Sequence, residues 1–257
     1  MIEQNPVKWE SMRKALRAKI GSMLPPDLRE RLRKRFPADP SAPPVGHVRW
    51  GDLRRTAPIS RNLWDRGLPI DRYYIESFLA ANAGDVAGRV LEVKDNTYTR
   101  RFGGTRVTNS DVLDVNPANP HATIVADLNA AGNLPGNAFD CIIITQTLQY
   151  VFDVASAIEE LHRSLKPGGA LLATVPGITP IDQELRDSTY WTFTDRSMRR
   201  LFEHHFPLTH LTVVSHGNVL SAVASLQGLS VDDLRPEELS PCDADFAVVI
   251  TVRATKP

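Results

Sequence analysis

The feature that most constrains this chain is an alternation of short apolar runs with helical patterns, which begins near residue 89. The apolar runs are rich in β-branched residues and nearly continuous in hydrophobicity. Such runs are typical of parallel strands covered on both faces, and the helical patterns between them are typical of crossover connections. We therefore predict a doubly wound α/β domain with a mostly parallel sheet. Its first five strands are expected at 89–94, 106–111, 122–126, 139–145 and 170–175.

Capping residues and late apolar runs define the rest of this domain. Asp153 is placed to cap one helix, because apolar residues recur at helical spacing after it. Thr194 is placed to cap another, with Asp195 in the first turn, where the helix dipole favours negative charge. Two further strands are expected at 211–215 and 246–253. Because the last one returns after a long insertion, we expect it to be antiparallel and near the edge of the sheet.

Residues 1–45 differ from the rest of the chain in charge. They hold ten basic and five acidic side chains, although the whole chain balances thirty of each. An amphipathic helical pattern, followed by a proline-rich stretch at 37–44, predicts a helical extension and a semi-rigid linker. We therefore divide the chain into an N-terminal extension, 1–45, and an α/β domain, 46–257. Residues 1–36 suit either an anionic membrane surface or a packing arm with a solvated basic face.

Composition excludes several classes of protein. Two cysteines, Cys141 and Cys242, cannot make a disulfide framework. No apolar run approaches the roughly 20 residues of a membrane span, and the start lacks a signal-peptide pattern. These features predict a cytoplasmic protein, with peripheral membrane attachment as a variant. We expect no nucleic-acid partner, because no long basic groove is interleaved with aromatics, and no metal, because no His/Cys cluster has ligand spacing.

Acidic side chains lie at the ends of the first three predicted strands, where open α/β sheets bind ligands. Glu92 lies at the first end, Asp111 follows nineteen residues later at the second, and Asp127 lies at the third. An acidic residue at about this interval meets ribose hydroxyls in dinucleotide-binding folds. The three carboxylates suit a ligand with an amine, a ribose diol and an adenine amino group. Each of them is also compatible with a helix cap or a turn.

Three segments resemble one known family. Residues 139–151 (FDCIIITQTLQYV) and 165–176 (LKPGGALLATVP) look like the second half of class I S-adenosylmethionine-dependent methyltransferases, type 11-like. Residues 191–194 (WTFT), followed by a helix, resemble a downstream segment of that family that is often seen in members encoded with glycosyltransferases. The resemblance covers roughly 65–257 and implies a Rossmann-like methyltransferase fold with S-adenosylmethionine as cofactor. It implies that Asp111 binds the ribose, that Asp127 and Leu128 bind the adenine, and that Thr145 approaches the methionine part.

The loop after the first strand departs from the family pattern. Such enzymes usually carry an acidic residue followed by a glycine-rich loop, whose glycines let the backbone come close to the cofactor. Here Glu92 is followed by Lys94 and Asn96 in place of the first two glycines. Asparagine tolerates a positive φ. Lys94 is expected either to pair with the carboxylate of the cofactor or to fill the site.

The family pattern does not identify the group that activates the methyl acceptor. Members of the family often have a histidine after strand four, where this chain has Gln149 and Tyr150. Methyl transfer to a hydroxyl needs a base within hydrogen-bond reach, and by position the candidates are His121, Tyr150 and Asp71. Asp71 belongs to residues 66–74 (RGLPIDRYY), which are predicted to form either a lid over a polar substrate, such as a sugar, or a structural cap.

The leading hypothesis is S-adenosylmethionine-dependent O-methyl transfer to a saccharide or glycan precursor, in polysaccharide biosynthesis. The saccharide rests on family association alone. One alternative is a catalytically silent protein of this fold that binds a partner through residues 1–75. Another is an enzyme of this fold that performs different chemistry in the same cleft. A nicotinamide dehydrogenase is disfavoured, because no Gly-x-Gly-x-x-Gly follows the first strand.

Overall fold

The computed structural model describes residues 41–44, 46–62, 64–130 and 132–257. The chain divides into two units, 1–54 and 55–257. In the first unit, Gly51–Leu53 form a 3₁₀ turn. The extension predicted at 1–36, with its contact to an anionic surface, lies outside the described residues. That extension and the predicted boundary after residue 45 therefore stay predictions.

Seven strands in the described part of the second unit form one sheet. The strands are β1 (Gly88–Val93), β2 (Val107–Asp114), β3 (Ile124–Val125), β4 (Phe139–Thr145), β5 (Leu165–Pro176), β6 (Leu211–His216) and β7 (Val249–Thr255). Their spatial order is β3-β2-β1-β4-β5-β7-β6. The first five strands are parallel to their neighbours, whereas β7 is antiparallel to both β5 and β6. The predicted mostly parallel sheet and the antiparallel last strand are both confirmed.

The second strand is longer than predicted. The sequence suggested that it ends at Asp111, but β2 continues to Asp114. Its pairing with β1 runs on to Leu113, and Asp114 then pairs with Val125 of β3. A buried charge normally ends an apolar strand, but Asp111 lies inside this one because Arg89 of β1 forms an ion pair with it at 2.6 Å. The predicted strand end was therefore wrong by three residues.

Five α-helices accompany the sheet in the described residues. They are α1 (Ile70–Ala81), α2 (Val154–Ser164), α3 (Asp195–Phe202), α4 (Val219–Leu226) and α5 (Pro236–Leu239). Asp153 caps α2 by accepting a hydrogen bond from Ser156 N at 3.1 Å, and Thr194 caps α3 by accepting one from Ser197 N at 3.1 Å. Both predicted caps are confirmed. None of these described helices combines the length and the apolar character needed to cross a membrane.

The core has two layers, one on each face of the sheet. Ile142 and Ile144 of β4 pack in a cluster with α2 and α3. Cys141 and Ile143 of the same strand pack in a second cluster with α1 and α4. Successive side chains of a strand point to opposite faces, so the helices cover both sides of the sheet. This arrangement confirms the doubly wound fold and places Cys141 in the core.

Candidate active site

The candidate site lies at the carboxyl edge of the sheet, where the loops after β1, β2, β3 and β4 meet. The spatial order reverses at β1, since β2 lies on one side of it and β4 on the other. In open α/β sheets, ligands bind beyond the carboxyl ends of the strands at such a reversal. The residues in these loops are therefore the ones to test for cofactor binding.

Glu92, near the end of β1, holds the loop that follows this strand. Its side chain is only 4% exposed, and its two carboxylate oxygens accept hydrogen bonds from Tyr98 N at 3.1 Å and Thr99 N at 2.7 Å. A π-helical turn, Thr99–Gly103, begins at this point. Burial raises the pKa of Glu92 to about 7, because the apolar surroundings disfavour the charged form. The structure thus assigns Glu92 a role in holding the loop, and its predicted contact with the cofactor stays a prediction.

Lys94 has the backbone conformation that glycine adopts most easily. Its φ is +74°, in the left-handed region, and its N–H donates to Leu113 O at 2.9 Å. The lysine side chain is exposed. The loop therefore keeps a glycine-like turn without a glycine, and the ammonium group does not fill a buried pocket. Nearby, Asn96 Nδ2 donates to Ser110 Oγ at 3.1 Å and ties this loop to β2.

Asp111 lies within β2, not at its end. It is 7% exposed, and its carboxylate accepts hydrogen bonds from Arg89 Nε at 2.6 Å, Asn109 Nδ2 at 3.1 Å and Thr123 Oγ1 at 3.0 Å. These three donors occupy the carboxylate. Its role as a ribose ligand stays a prediction, but the carboxylate at the strand end is that of Asp114.

Asp114 and Asn119 join the loops after β1 and β2. Asn119 Nδ2 donates to Asp114 Oδ2 at 2.6 Å and to Lys94 O at 2.7 Å. Asn119 Oδ1 accepts from the backbone N–H of His121 at 2.9 Å, while the His121 side chain is exposed. Sequence reasoning missed Asn119. The signal for it is the series of Asp and Asn residues at 114–119, since such side chains hydrogen-bond to nearby backbone in turns.

Asp127 and Leu128 follow β3 and differ in exposure. Leu128 is buried in the core, whereas Asp127 is exposed and accepts a hydrogen bond from Asn129 N at 2.8 Å. Asn129 Oδ1 in turn accepts from Phe152 N at 2.9 Å. This link connects the loop after β3 to the turn after β4, so Asp127 lies on the same rim as Thr145.

The turn after β4 contains buried polar atoms that lack partners. Gln146, next to Thr145, has a φ of +47°, and its N–H donates to Thr174 O at 2.9 Å. Among the described residues, Gln146 Nε2 and Gln149 Oε1 are buried and make no hydrogen bond. A buried polar atom without a partner is costly. A ligand with its own donors and acceptors would satisfy them, which makes this turn the best place for a polar ligand group.

Asp71 lies in the first turn of α1, next to Arg72, and Tyr150 lies in the turn after β4. Arg72 Nη1 donates to the Tyr98 hydroxyl at 3.2 Å, and Arg72 Nε lies 3.9 Å from Asp71 Oδ2. Burial raises the pKa of Asp71. Burial also raises the pKa of Tyr150, and among the charges that act on it are those of Asp182, Arg72 and Asp71. Burial thus raises the pKa of two of the three predicted base candidates, while the third, His121, is exposed in the loop before β3.

A doubly wound sheet with acidic side chains at or near the carboxyl ends of β1, β2 and β3 is typical of proteins that bind nucleotide-type ligands at that edge. Within that class, residues 79–173 match the family described as a methyltransferase domain. The matched segment contains β1 to β4 and most of β5. This match supports the class I S-adenosylmethionine-dependent methyltransferase family that the sequence resemblance predicted.

Individual relatives are similar over different lengths. A ubiquinone/menaquinone biosynthesis C-methyltransferase of Hydrogenovibrio crunogenus is 37% identical over 86 residues, which cover 33% of this chain and 31% of the relative. The chain thus matches less than a third of that protein. A methyltransferase structure from Mesorhizobium loti, described as S-adenosylmethionine-dependent, is 19% identical with a TM-score of 0.49, covering 73% of this chain and 100% of its own. The N-methyltransferase NodS from Bradyrhizobium japonicum, in complex with S-adenosyl-L-homocysteine, is 16% identical with a TM-score of 0.47, covering 76% and 90%.

Proposed function

We propose that this protein is an S-adenosylmethionine-dependent methyltransferase that O-methylates a saccharide or glycan precursor, in polysaccharide biosynthesis. The observation that supports methyl transfer best is the loop after β1. Its backbone is left-handed at Lys94, where the family has a glycine, and Asn119 holds it against Asp114. The saccharide acceptor is supported by the resemblance of residues 191–194 to family members encoded with glycosyltransferases.

The residues of the carboxyl edge fit S-adenosylmethionine. The donor that suits it best is Gln146 Nε2, which is buried and has no partner among the described residues. Lys94 supplies an exposed ammonium for the carboxylate of the methionine part, and Thr145 lies beside Gln146. For the other end, Asp114 is the favoured carboxylate for the ribose diol, with Asp111 as the earlier candidate, and Asp127 with Leu128 contacts the adenine. When bound, this cofactor supplies a methyl group on a sulfonium centre, which is electrophilic without further activation.

Asp71 is the base in this proposal, and Tyr150 is its polar neighbour. Because burial raises the pKa of the Asp71 carboxyl, Asp71 holds a proton more strongly than an exposed aspartate does. It accepts the proton that the acceptor hydroxyl releases. Burial raises the pKa of Tyr150 above its ordinary value of 10.0, so at neutral pH the phenol keeps its proton and donates a hydrogen bond to the acceptor. His121, which is exposed, is the alternative base.

Two measurements test this function. Calorimetric titration with S-adenosylmethionine and with S-adenosyl-L-homocysteine should show that both bind the full-length protein. A catalytically silent protein of this fold would give no heat with either ligand at millimolar concentration. Transfer of a labelled methyl group to a panel of oligosaccharides should then fall by about 10²- to 10⁴-fold in Asp71→Asn, with cofactor affinity retained. His121→Ala is the matched control and should keep its turnover, and the reverse result would assign the base to His121.

A further inference from the structure

Three aromatic side chains at the rim of the candidate site face solvent. Phe152, Tyr190 and Trp191 are 65%, 50% and 41% exposed, and together we call them the aromatic platform. The Phe152 ring contacts Tyr190 edge-on, with centroids 5.4 Å apart, and lies 5.9 Å from the Trp191 ring. Clustered exposed aromatic rings are unusual on a surface unless they serve a ligand or a partner.

The aromatic platform is held in place by hydrogen bonds to the main chain. Trp191 Nε1 donates to Val151 O at 3.1 Å and to Phe152 O at 3.2 Å. Tyr190 N donates to Gln149 O at 2.9 Å, and the backbone N–H of Trp191 donates to the same oxygen at 3.3 Å. These bonds use the polar atoms of the indole and the backbone, and a large part of each aromatic side chain stays exposed. A rigid aromatic surface loses little conformational entropy when a ligand binds.

The position of the platform links it to the proposed reaction. Phe152 is tied through Asn129 to the loop that carries Asp127, and Tyr190 is tied to Gln149 in the turn after β4. That turn also carries Tyr150. The platform therefore borders the edge at which the cofactor and the base are proposed to lie.

We infer that the aromatic platform binds the methyl acceptor, and that the acceptor is a ring with an apolar face and a hydroxylated edge. This inference rests on the proposed function for its place beside the methyl donor. The apolar face of such a ring stacks on Phe152 or Trp191, whose planes are 35° apart, while Tyr190, at 79° to Phe152, contacts its edge. Its hydroxylated edge then turns towards the turn after β4, which carries Tyr150. A pyranose and a phenolic ring share this chemistry.

Direct binding tests the inference without turnover. Saturation-transfer NMR with the full-length protein would use cellohexaose as the pyranose probe and catechol as the phenolic probe. We expect one probe to bind, with its ring C–H protons receiving the strongest saturation. Binding of cellohexaose is the result expected from the proposed saccharide acceptor. Binding of catechol alone would keep the platform as a ring-binding site but overturn the saccharide. Binding of neither probe to the wild-type protein would overturn the inference.

Variants connect the binding to the platform. Phe152→Ala combined with Tyr190→Ala should weaken probe affinity about tenfold or more, because it removes two stacking faces. The matched control is Leu208→Ala, which changes a side chain that is 61% exposed before β6. Leu208 lies at the opposite, amino-terminal edge of the sheet. The first residue of β6 pairs with Ala254 near the end of β7, and the next residue of β7 pairs with Ala170 of β5. Should the double variant unfold on heating below the wild type, Phe152→Ala alone replaces it, with at least a threefold loss expected. Unchanged affinity in the folded variant would overturn the inference.

Calorimetry with S-adenosylmethionine on the same proteins separates the two proposals. The platform variants should bind the cofactor as the wild type does. If the wild type binds a ring probe through the platform but does not bind the cofactor, the proposed function fails and the platform remains a ring-binding site. If the cofactor binds and the platform variants keep their probe affinity, the inference that the platform binds the acceptor is overturned, and the methyltransferase proposal stands.

Discussion

The two halves of the carboxyl edge are built differently. In the half formed by β1 and β2, side chains hold the loops together: Glu92 accepts hydrogen bonds from two backbone N–H groups, and Asn119 bridges Lys94 and Asp114. In the half formed by β4 and β5, the contacts stay within the turn and its neighbouring strand, such as Gln149 Nε2 to Gln146 O at 2.9 Å and Gln146 N to Thr174 O at 2.9 Å. There, Gln146 Nε2 and Gln149 Oε1 have no partner among the described residues, whereas the β1–β2 half has one such atom, Thr99 Oγ1.

This difference indicates a division of labour. Side chains that are fully hydrogen-bonded hold a loop in one conformation and have little capacity left for a ligand. Buried amide atoms without partners have that capacity and gain most when a ligand arrives. The β1–β2 half therefore acts mainly as a frame, in which the partly exposed Asp114 is the carboxylate that still meets a ligand. The β4–β5 half is where a ligand adds the missing hydrogen bonds.

The largest expected effect comes from the frame residue Glu92. Its pKa in the folded protein is about 7, above the ordinary value of 4.5. The folded state therefore binds this proton more tightly than the unfolded state does. The contribution of protonated Glu92 to the free energy of unfolding is fully present below about pH 4.5 and is lost as the pH rises through about 7. The free energy of unfolding should fall by about 3 kcal/mol across this window, and Glu92→Gln, which cannot ionise, should flatten the fall.

Urea unfolding at several pH values between about 4.5 and 8 measures this effect. Glu160 is the matched control, since it is also only 4% exposed but pairs with Arg163 at 2.7 Å. Burial alone would raise the pKa of Glu160, but its bonds to Arg163 and to backbone N–H groups hold it below the ordinary value. The contribution of Glu160 to the free energy of unfolding is lost only as the pH falls. Above about pH 4.5, the free energy of unfolding of Glu160→Gln should therefore change with pH as that of the wild type does. Parallel curves for the wild type and Glu92→Gln would contradict the burial effect.

The next effect compares two aspartates of β2. Asp114→Ala should weaken S-adenosylmethionine binding about ten- to hundredfold, because a charged acceptor for ribose hydroxyls is worth roughly 1.5–3 kcal/mol. Asp111→Ala should leave affinity nearly unchanged. It should instead lower the free energy of unfolding by about 1–3 kcal/mol, because Arg89, Asn109 and Thr123 lose their acceptor. Calorimetry and urea unfolding of both variants check this, and a loss of affinity confined to Asp111→Ala would restore Asp111 as the ribose ligand.

The smallest expected effect comes from glycine substitutions at two residues with a left-handed backbone, Lys94 and Gln146. Glycine at either site removes a backbone strain of about 1 kcal/mol but adds chain entropy to the unfolded state worth about 0.5–1 kcal/mol. Lys94→Gly and Gln146→Gly should therefore change the free energy of unfolding by less than about 0.5 kcal/mol. Lys94→Gly should still lower S-adenosylmethionine affinity about tenfold, because it removes the ammonium. Lys94→Ala is the control that keeps the strain, and a rise in affinity in either variant would show that the lysine obstructs the site.

Local patterns in the sequence were enough to predict much of the fold. The bounds of β4, the caps at Asp153 and Thr194 and the antiparallel last strand all follow from interactions between near neighbours or from the order of segments. Burial of a continuous apolar run and capping of a helix end need no knowledge of distant residues. The family resemblance followed from the same local segments, 139–151 and 165–176.

The site depended on contacts that no local pattern contains. Arg89 lies twenty-two residues before Asp111, and their pairing across β1 and β2 is what keeps β2 extended to Asp114. The positive φ at Lys94 follows from the β1–β2 pairing, since its N–H continues that ladder to Leu113 O. The aromatic platform forms because residues 190–191 pack beside Phe152 and the turn that contains Gln149, about forty residues earlier in the chain. Strand register and loop packing join residues far apart in the chain, and so only the tertiary structure decides these features.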